Sequence, residues 1–251
     1  MIYGVKLSAD SDFAAAYNAV DTYEAYGLAL AYDNFTLSAP EPRTEYKTIR
    51  GMDGALDVSE APQGYPVFEN RTARFRLFKA VRPFMRWDID ALQALRTEFL
   101  ARWQGQRVRI TFPDDETHYW LGRISVGDLD LDNDYGFFDC TAVVYPYKLK
   151  NETTSVEITD LTTSWKQYEL TNERRFVVPT ITVTQNTEIQ ILAGVSAIPP
   201  VVSLALPSGD VSASYKNPDT LLISGNVPFQ ARLTAASASP YMEISYREGT
   251  L

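Results

Sequence analysis

Residues 107–144 have the sequence RVRITFPDDETHYWLGRISVGDLDLDNDYGFFDCTAVV. The run Arg107–Phe112 alternates polar and apolar side chains, which is the period of a strand with one buried face. Two clusters of turn residues, Pro113–Glu116 and Asp132–Gly136, separate this run from His118–Leu121 and from a third run rich in strand formers. We therefore predict three consecutive antiparallel strands and, with them, a mainly β fold.

A second alternating run, Thr72–Phe78, lies upstream of these strands. Arg74 and Arg76 occupy alternate positions of this run, and Phe75 and Leu77 occupy the positions between them. The pattern predicts a further strand with one apolar and one basic face.

One helix is predicted between the two strand regions. Its apolar residues recur at spacings of three and four and form a single stripe: Leu92, Leu95, Phe99 and Trp103. We expect Asp88 or Asp90 to cap the first turn, because a short carboxylate accepts hydrogen bonds from unpaired amides. Gly105 is placed to end the helix in the left-handed conformation.

The composition changes near residue 150, which divides the chain into two predicted domains, 1–150 and 151–251. Residues 146–155 have the polarity of a connector. Beyond them, short strands with turn signals between them predict a β-sandwich or jelly roll. The predicted strands of this domain are Phe176–Val178, Thr180–Thr184, Glu188–Leu192, Val211–Tyr215, Thr220–Ser224 and Met242–Tyr246.

Composition excludes several classes of protein. A chain of 251 residues that is 45% hydrophobic and 12% aromatic can fill real cores. A net charge of −9 argues against a broad phosphate-binding surface, so we expect no specific nucleic-acid binding. The most apolar segment, Ile189–Leu206, is interrupted by glycine, serine and two prolines. We therefore expect no membrane span.

Residues suited to catalysis are few. The chain has one histidine, His118, and one cysteine, Cys140, so a thiolate cluster or a site with several histidines is impossible. Cys140 lies in a run of strand formers and is predicted to be a small buried residue. We predict that the protein is not an enzyme and binds no cofactor.

One acidic segment has the spacing of oxygen ligands. Its carboxylates alternate along the chain: Asp128, Asp130, Asp132 and Asp134. A calcium loop requires glycine at its sixth position, where this chain has Asn133. A strand with one solvated face that ends in a turn explains the pattern better, and a cation site stays as the weaker alternative.

Two glycines predict a tight turn. Gly51 and Gly54 flank Met52 and Asp53, and both glycines can adopt positive φ. Asp53 can accept hydrogen bonds from nearby backbone amides. We interpret this turn as structural.

An ordered set of short motifs resembles the distal tail proteins (Dit) of long-tailed, siphovirus-type bacteriophages or prophages. The motifs that carry the resemblance extend over nearly the whole chain: Tyr26–Leu30, Ala39–Pro40, Ile49–Asp57, Gly64–Tyr65, Asn70–Arg71, Tyr119–Arg123, Tyr145–Lys148 and Ile244–Gly249. Arg50 departs from the family, which often has proline there.

The resemblance implies a fold and an assembly. The N-terminal domain would be a β-sandwich with one α-helix and a projecting β-hairpin, and the C-terminal domain a galectin-like β-sandwich or jelly roll. Six copies would form a ring in the baseplate at the virion tail tip. We expect the hairpin at Arg71–Arg86, with these residues at the subunit interface: Arg71, Arg74, Arg76, Arg82 and Arg86.

The implied partners are other virion proteins. The ring would join the tail tube protein to the tape measure protein and to hub and receptor-binding proteins, after assembly in the bacterial host cytoplasm. DNA would pass through the ring without specific binding. The alternative function is a carbohydrate-binding or adhesin module, although the second domain has no histidine and a single tryptophan, Trp165.

Overall fold

The chain divides into two compact units, Met1–Lys148 and Leu149–Leu251, and the predicted boundary was residue 150. The structure is a computed structural model. It describes residues 3–9, 19–60, 66–80, 86–132, 135–171, 176–177, 179–184, 188–192, 201–205, 212–216, 223–224, 228–235 and 240–251.

The first unit contains nine strands and two helices among its described residues. In chain order these are β1 (Lys6–Ala9), β2 (Val20–Asp21), α1 (Thr22–Tyr26), β3 (Ala29–Leu37), β4 (Tyr46–Lys47), β5 (Leu56–Asp57), β6 (Arg71–Ala80), α2 (Arg86–Trp103), β7 (Arg107–Thr111), β8 (His118–Asp132) and β9 (Tyr135–Val144). The three consecutive strands predicted from residues 107–144 are confirmed as β7, β8 and β9.

Seven of these strands form one antiparallel path, β2-β1-β7-β8-β9-β6-β3. Strand β6 pairs with β9 along its whole length, from Arg71 opposite Val144 to Ala80 opposite Tyr135. Its alternation follows the prediction, because Phe75 is buried on the face opposite Arg74. The mainly β fold is confirmed.

The sheet folds over on itself around one core. Phe75 of β6 lies 5.4 Å from Phe112, ring centroid to ring centroid, although three strand pairings separate β6 from β7 in the sheet. Phe35 of β3 also packs on Phe112, at 4.5 Å. The two layers of the predicted N-terminal sandwich therefore belong to one hydrogen-bonded sheet.

Strand β7 departs from the prediction of one buried face. Both faces are covered, and Arg109 is buried with its guanidinium 5.1 Å from the ring centroid of Tyr119. An aromatic ring over the guanidinium partly offsets the cost of burying its charge.

Helix α2 covers the core as its apolar stripe predicts. Leu92, Phe99 and Trp103 are buried, and Gly105 has a φ of 70°. The capping prediction is wrong, because the helix begins at Arg86 and places Asp88 inside the first turn. A carboxylate there still favours the helix, since it faces the positive end of the helix dipole.

The prediction of a single helix is also wrong, because the short helix α1 precedes β3. Asp21 caps it and accepts from the amides of Tyr23 at 2.8 Å and Glu24 at 3.3 Å. Gly27 ends it with a φ of 68°. Five residues are too few to form an apolar stripe, so only the two caps could have indicated this helix.

The second unit is a β-sandwich. Its strands are β10 (Lys148–Lys150), β11 (Thr154–Ile158), β12 (Lys166–Tyr168), β13 (Phe176–Val177), β14 (Thr180–Thr184), β15 (Ile189–Leu192), β16 (Val201–Leu204), β17 (Ser212–Lys216), β18 (Ile223–Ser224), β19 (Phe229–Leu233), β20 (Tyr241–Tyr246) and β21 (Gly249–Thr250). Two four-stranded sheets, β11-β20-β14-β17 and β12-β19-β15-β16, enclose one apolar core.

Neither helix in the described part of the chain combines the length and the apolar character that crossing a membrane requires.

Candidate interaction surfaces

A two-stranded arm lies between β3 and β6. We define the arm as residues 41–60 and 66–69, and it includes the short antiparallel pair β4 and β5. Closer to the sheet, Arg43 N donates to Val67 O at 2.7 Å, and Glu69 N donates to Glu41 O at 2.8 Å. The chain therefore leaves the sheet and returns to it as a ribbon.

The base of the arm is tied down by side chains. The Phe68 ring meets Tyr147 edge-on, with 6.4 Å between ring centroids. Arg43 Nε lies 2.7 Å from Glu69 Oε1 across the two strands of the ribbon. Farther out, the amide of Glu45 donates to Ser59 Oγ at 2.7 Å. These contacts give the arm a defined direction at its origin.

The tip of the arm is the glycine turn predicted from the sequence. Gly51 has a φ of 86° and Gly54 a φ of 78°, a region that side chains with a Cβ disfavour. The amide of Met52 donates to Ile49 O at 3.1 Å and closes the turn. The expected hydrogen bond to Asp53 is absent from the bonds described for this turn.

Large apolar side chains are exposed along the arm. Tyr46 is 59% exposed, Ile49 and Met52 are each 46% exposed, and Leu56 is 42% exposed. None of the four belongs to the buried core of the first unit. A two-stranded ribbon is marginally stable by itself in water, and clustered apolar surface marks contact sites. The arm therefore has the properties of a segment that binds another protein surface.

The hairpin prediction is right about the feature and wrong about its place. We expected the projection at Arg71–Arg86, but this segment contains β6, which lies between β3 and β9 in the sheet. The alternation at Thr72–Phe78 marks a strand paired on both sides. The projection precedes β6 and is the arm.

The arginines predicted for the interface have different environments. Arg71 is buried, donates to Ser38 O at 2.6 Å and lies over the Trp120 ring at 4.8 Å. The side chain of Arg71 is therefore used inside the unit, and its place at a subunit interface stays a prediction. Burial lowers the pKa of its guanidinium. Arg82 and the side chain of Arg86 lie outside the described residues.

Arg74 and Arg76 lie together on a second exposed surface. We call it the outer face, and its members are Arg74, Arg76, Phe78, Tyr135, Phe137, Asp139 and Val143. Arg76 Nε is 2.7 Å from Asp139 Oδ1, and its guanidinium lies 5.1 Å from the Phe137 ring centroid.

Aromatic rings occupy one end of the outer face. Phe78 contacts Tyr135 at 5.6 Å and Phe137 at 6.3 Å between ring centroids. At the other end, Val143 is 50% exposed. The outer face thus combines apolar surface with two arginines and the carboxylate of Asp139, and apolar groups and arginine are both enriched in protein interfaces.

The acidic segment is a strand with a solvated side where the structure describes it. Asp128 and Asp130 are exposed on β8, and Asp128 Oδ1 lies 3.2 Å from Arg96 Nη2. The side chain of Asp132 and all of Asp134 lie outside the described residues. Within the described residues, no three His, Cys, Asp or Glu side chains gather as ligands for a metal.

Cys140 is buried in β9, as predicted, and burial raises the pKa of its thiol. A thiol of this kind is a packing group, because the reactive form is the thiolate.

His118 belongs to a polar cluster that closes the β7–β8 turn. Asp115 is its centre, with Lys148 Nζ at 2.7 Å from its carboxylate and His118 Nδ1 at 3.0 Å. Burial alone would raise the pKa of Asp115. The hydrogen bonds from Lys148, then Thr117 and then His118, outweigh burial and hold that pKa well below its ordinary value of 3.8.

We expect Asp115→Asn to lower the free energy of unfolding by about 1–3 kcal/mol near neutral pH, because charge-assisted hydrogen bonds are lost. The folded pKa of Asp115 is depressed, so its contribution is present above pH 3.8 and is lost as the pH falls through the folded value. Denaturant titrations of both proteins across this range should converge at acid pH. Asp114→Asn, at an exposed neighbour, is the control. An equal loss in the control, or a gap that does not narrow in acid, would contradict the assignment.

Comparison with solved structures finds a similar fold in the Dit protein of phage SPP1. The TM-score is 0.61 and the sequence identity 15%, over 98% of this chain and 99% of that chain. That protein is described as a paradigm of the hub adsorption apparatus in phages that infect Gram-positive bacteria. No family model matches the chain, and no curated protein matches it. At this identity the likeness concerns the fold.

Proposed function

We propose that the protein is a structural component of a phage tail tip, where it forms a hexameric ring that joins the tail tube to the hub and receptor-binding proteins. The observation that carries this proposal is the fold shared with a phage hub protein over both units of the chain. The exposed arm supports it, because a monomer gains nothing from apolar side chains on an isolated ribbon.

The arm and the outer face give each chain two exposed surfaces through which copies could contact one another in a ring. The arm and the outer face are different surfaces, so a contact between them is heterologous, and such contacts close into a ring when the rotation fits. The arm carries six acidic and three basic residues, whereas the outer face carries Arg74 and the ion pair Arg76–Asp139. The net negative charge of the arm, the guanidinium of Arg74 and the exposed apolar groups on both surfaces favour this pairing.

The remaining partners follow from the same proposal. The ring would contact the tail tube protein and the tape measure protein, and the second unit would carry hub or receptor-binding components. Each copy contributes a charge of −9, which lets DNA pass through the ring without being held. We assign no catalytic role, and we place assembly in the bacterial cytoplasm and the mature protein at the virion tail tip.

The test is the mass of the purified protein by light scattering after size exclusion, with negative-stain images of the main peak. We expect a species of six times 28.2 kDa with a central hole. The same measurement is repeated with the tail tube protein added, since a neighbour can be needed to close the ring. A monomer under both conditions would contradict the ring.

A further inference from the structure

The second unit presents a polar row with a tryptophan at one end, across the sheet β12-β19-β15-β16. Trp165 precedes β12, whose first residue pairs with Ala231. Arg232 of β19 pairs in register with Gln190 of β15, and Gln190 pairs with Ser203 of β16. Four side chains far apart in the sequence thus lie in one line on the side of the sheet away from the core.

The members of this row are held in place by each other. The Arg232 guanidinium lies 4.5 Å from the Trp165 ring centroid. Its Nε and Nη2 donate to Gln190 Oε1 at 3.0 Å and 2.8 Å. Gln190 Nε2 in turn donates to Ser203 Oγ at 3.4 Å. Bound in this way, the guanidinium and the amide have lost their rotational freedom before any ligand arrives.

The row retains groups that can bind a ligand. Trp165 is 36% exposed and, with Leu251, is one of two large apolar side chains exposed in the described part of this unit. Arg232 Nη1 has no partner among the residues that the structure describes. Gln230, in the neighbouring row, adds a second half-buried amide to the same side of the sheet.

We propose that this row, Trp165–Arg232–Gln190–Ser203, binds a saccharide. The flat C–H face of a pyranose would pack on the part of the indole that Arg232 leaves exposed, and its hydroxyl oxygens would accept hydrogen bonds from the N–H groups of Arg232 and Gln190 that the row itself does not use. An apolar peptide would need a wider apolar patch than a single ring. A nucleic acid would need more than one guanidinium on a chain whose charge is −9.

The test is binding of the full chain to an array of gluco-, galacto-, rhamno- and N-acetylglucosamine oligomers, together with uronate- and phosphate-bearing polysaccharides. The glycan that binds best is then titrated by calorimetry. We expect Trp165→Ala and Arg232→Ala each to lower the affinity about tenfold or more, and Trp165→Phe to restore part of it. Ser214→Ala, on the opposite sheet, is the matched control and should bind as the wild type does.

Two outcomes would overturn the proposal. One is that no glycan on the array binds. The other is binding only to anionic polymers that survives Trp165→Ala and disappears in about 0.5 M salt, which is screened charge attraction without a site. Saccharide binding by this row does not require the ring. Ile49→Ser in the arm should therefore leave saccharide binding unchanged.

Discussion

Replacing Ile49 and Met52 together by serine is expected to abolish the proposed hexamer and leave a folded monomer. Both side chains are 46% exposed at the tip of the arm, so their removal takes nothing from the core of their own subunit. In a ring, each copy would bury both side chains against its neighbour, and the loss is repeated at all six contacts. A closed ring needs every contact, so a moderate loss at each one gives a large change in assembly.

Light-scattering mass at two protein concentrations measures this effect, and thermal unfolding of the monomer provides the check on folding. Substitutions at exposed sites usually change stability by no more than about 0.5 kcal/mol. Trp165→Ala is the matched control, since it removes an exposed apolar side chain from the other unit. A serine variant that remains hexameric would remove the arm tip from the interface.

Phe99→Ala is expected to lower the free energy of unfolding of the first unit by about 3–5 kcal/mol, the range for deleting a buried aromatic ring. Phe99 is fully buried on α2, and its ring meets Tyr26 edge-on with 5.5 Å between centroids. The substitution leaves a cavity between the helix and the sheet. Because whole domains are stable by only about 5–15 kcal/mol, the first unit would approach its unfolding threshold.

Tryptophan fluorescence during denaturant unfolding follows this change selectively. Three of the four tryptophans lie in the first unit, and Trp165→Phe removes the fourth from the signal. Glu98→Ala, at the exposed neighbour on α2, should shift the transition by no more than about 0.5 kcal/mol. Equal shifts in the two variants would mean that the helix is not packed through Phe99.

The helix and the central strands could be predicted because their periodicity reports burial directly. Leu92, Phe99 and Trp103 recur on one face of α2, and Phe75 alternates with Arg74 on β6. The arm could not be located in this way. Its apolar residues, such as Ile49 and Leu56, face solvent in the monomer and follow no period that a core would impose.

Other strands were also missed, and the sequence explains only some of these misses. Strand β16 follows two consecutive prolines, which favour the prediction of a loop. Strand β19 alternates regularly, with Phe229, Ala231 and Leu233 buried, and this pattern could have revealed it. The row that ends at Trp165 depends on strand register alone, and no local pattern connects residue 165 to residues 190, 203 and 232.

Strand β11 pairs with β20 from Thr154 opposite Tyr246 to Ile158 opposite Met242, so the second unit begins and ends side by side. The amide of Lys150 donates to Glu248 O at 2.9 Å, just beyond this pairing. A module with adjoining ends can be spliced into a surface loop of another protein without stretching its host. Recombination can therefore exchange the second unit as a cassette between proteins while the first unit keeps its own core.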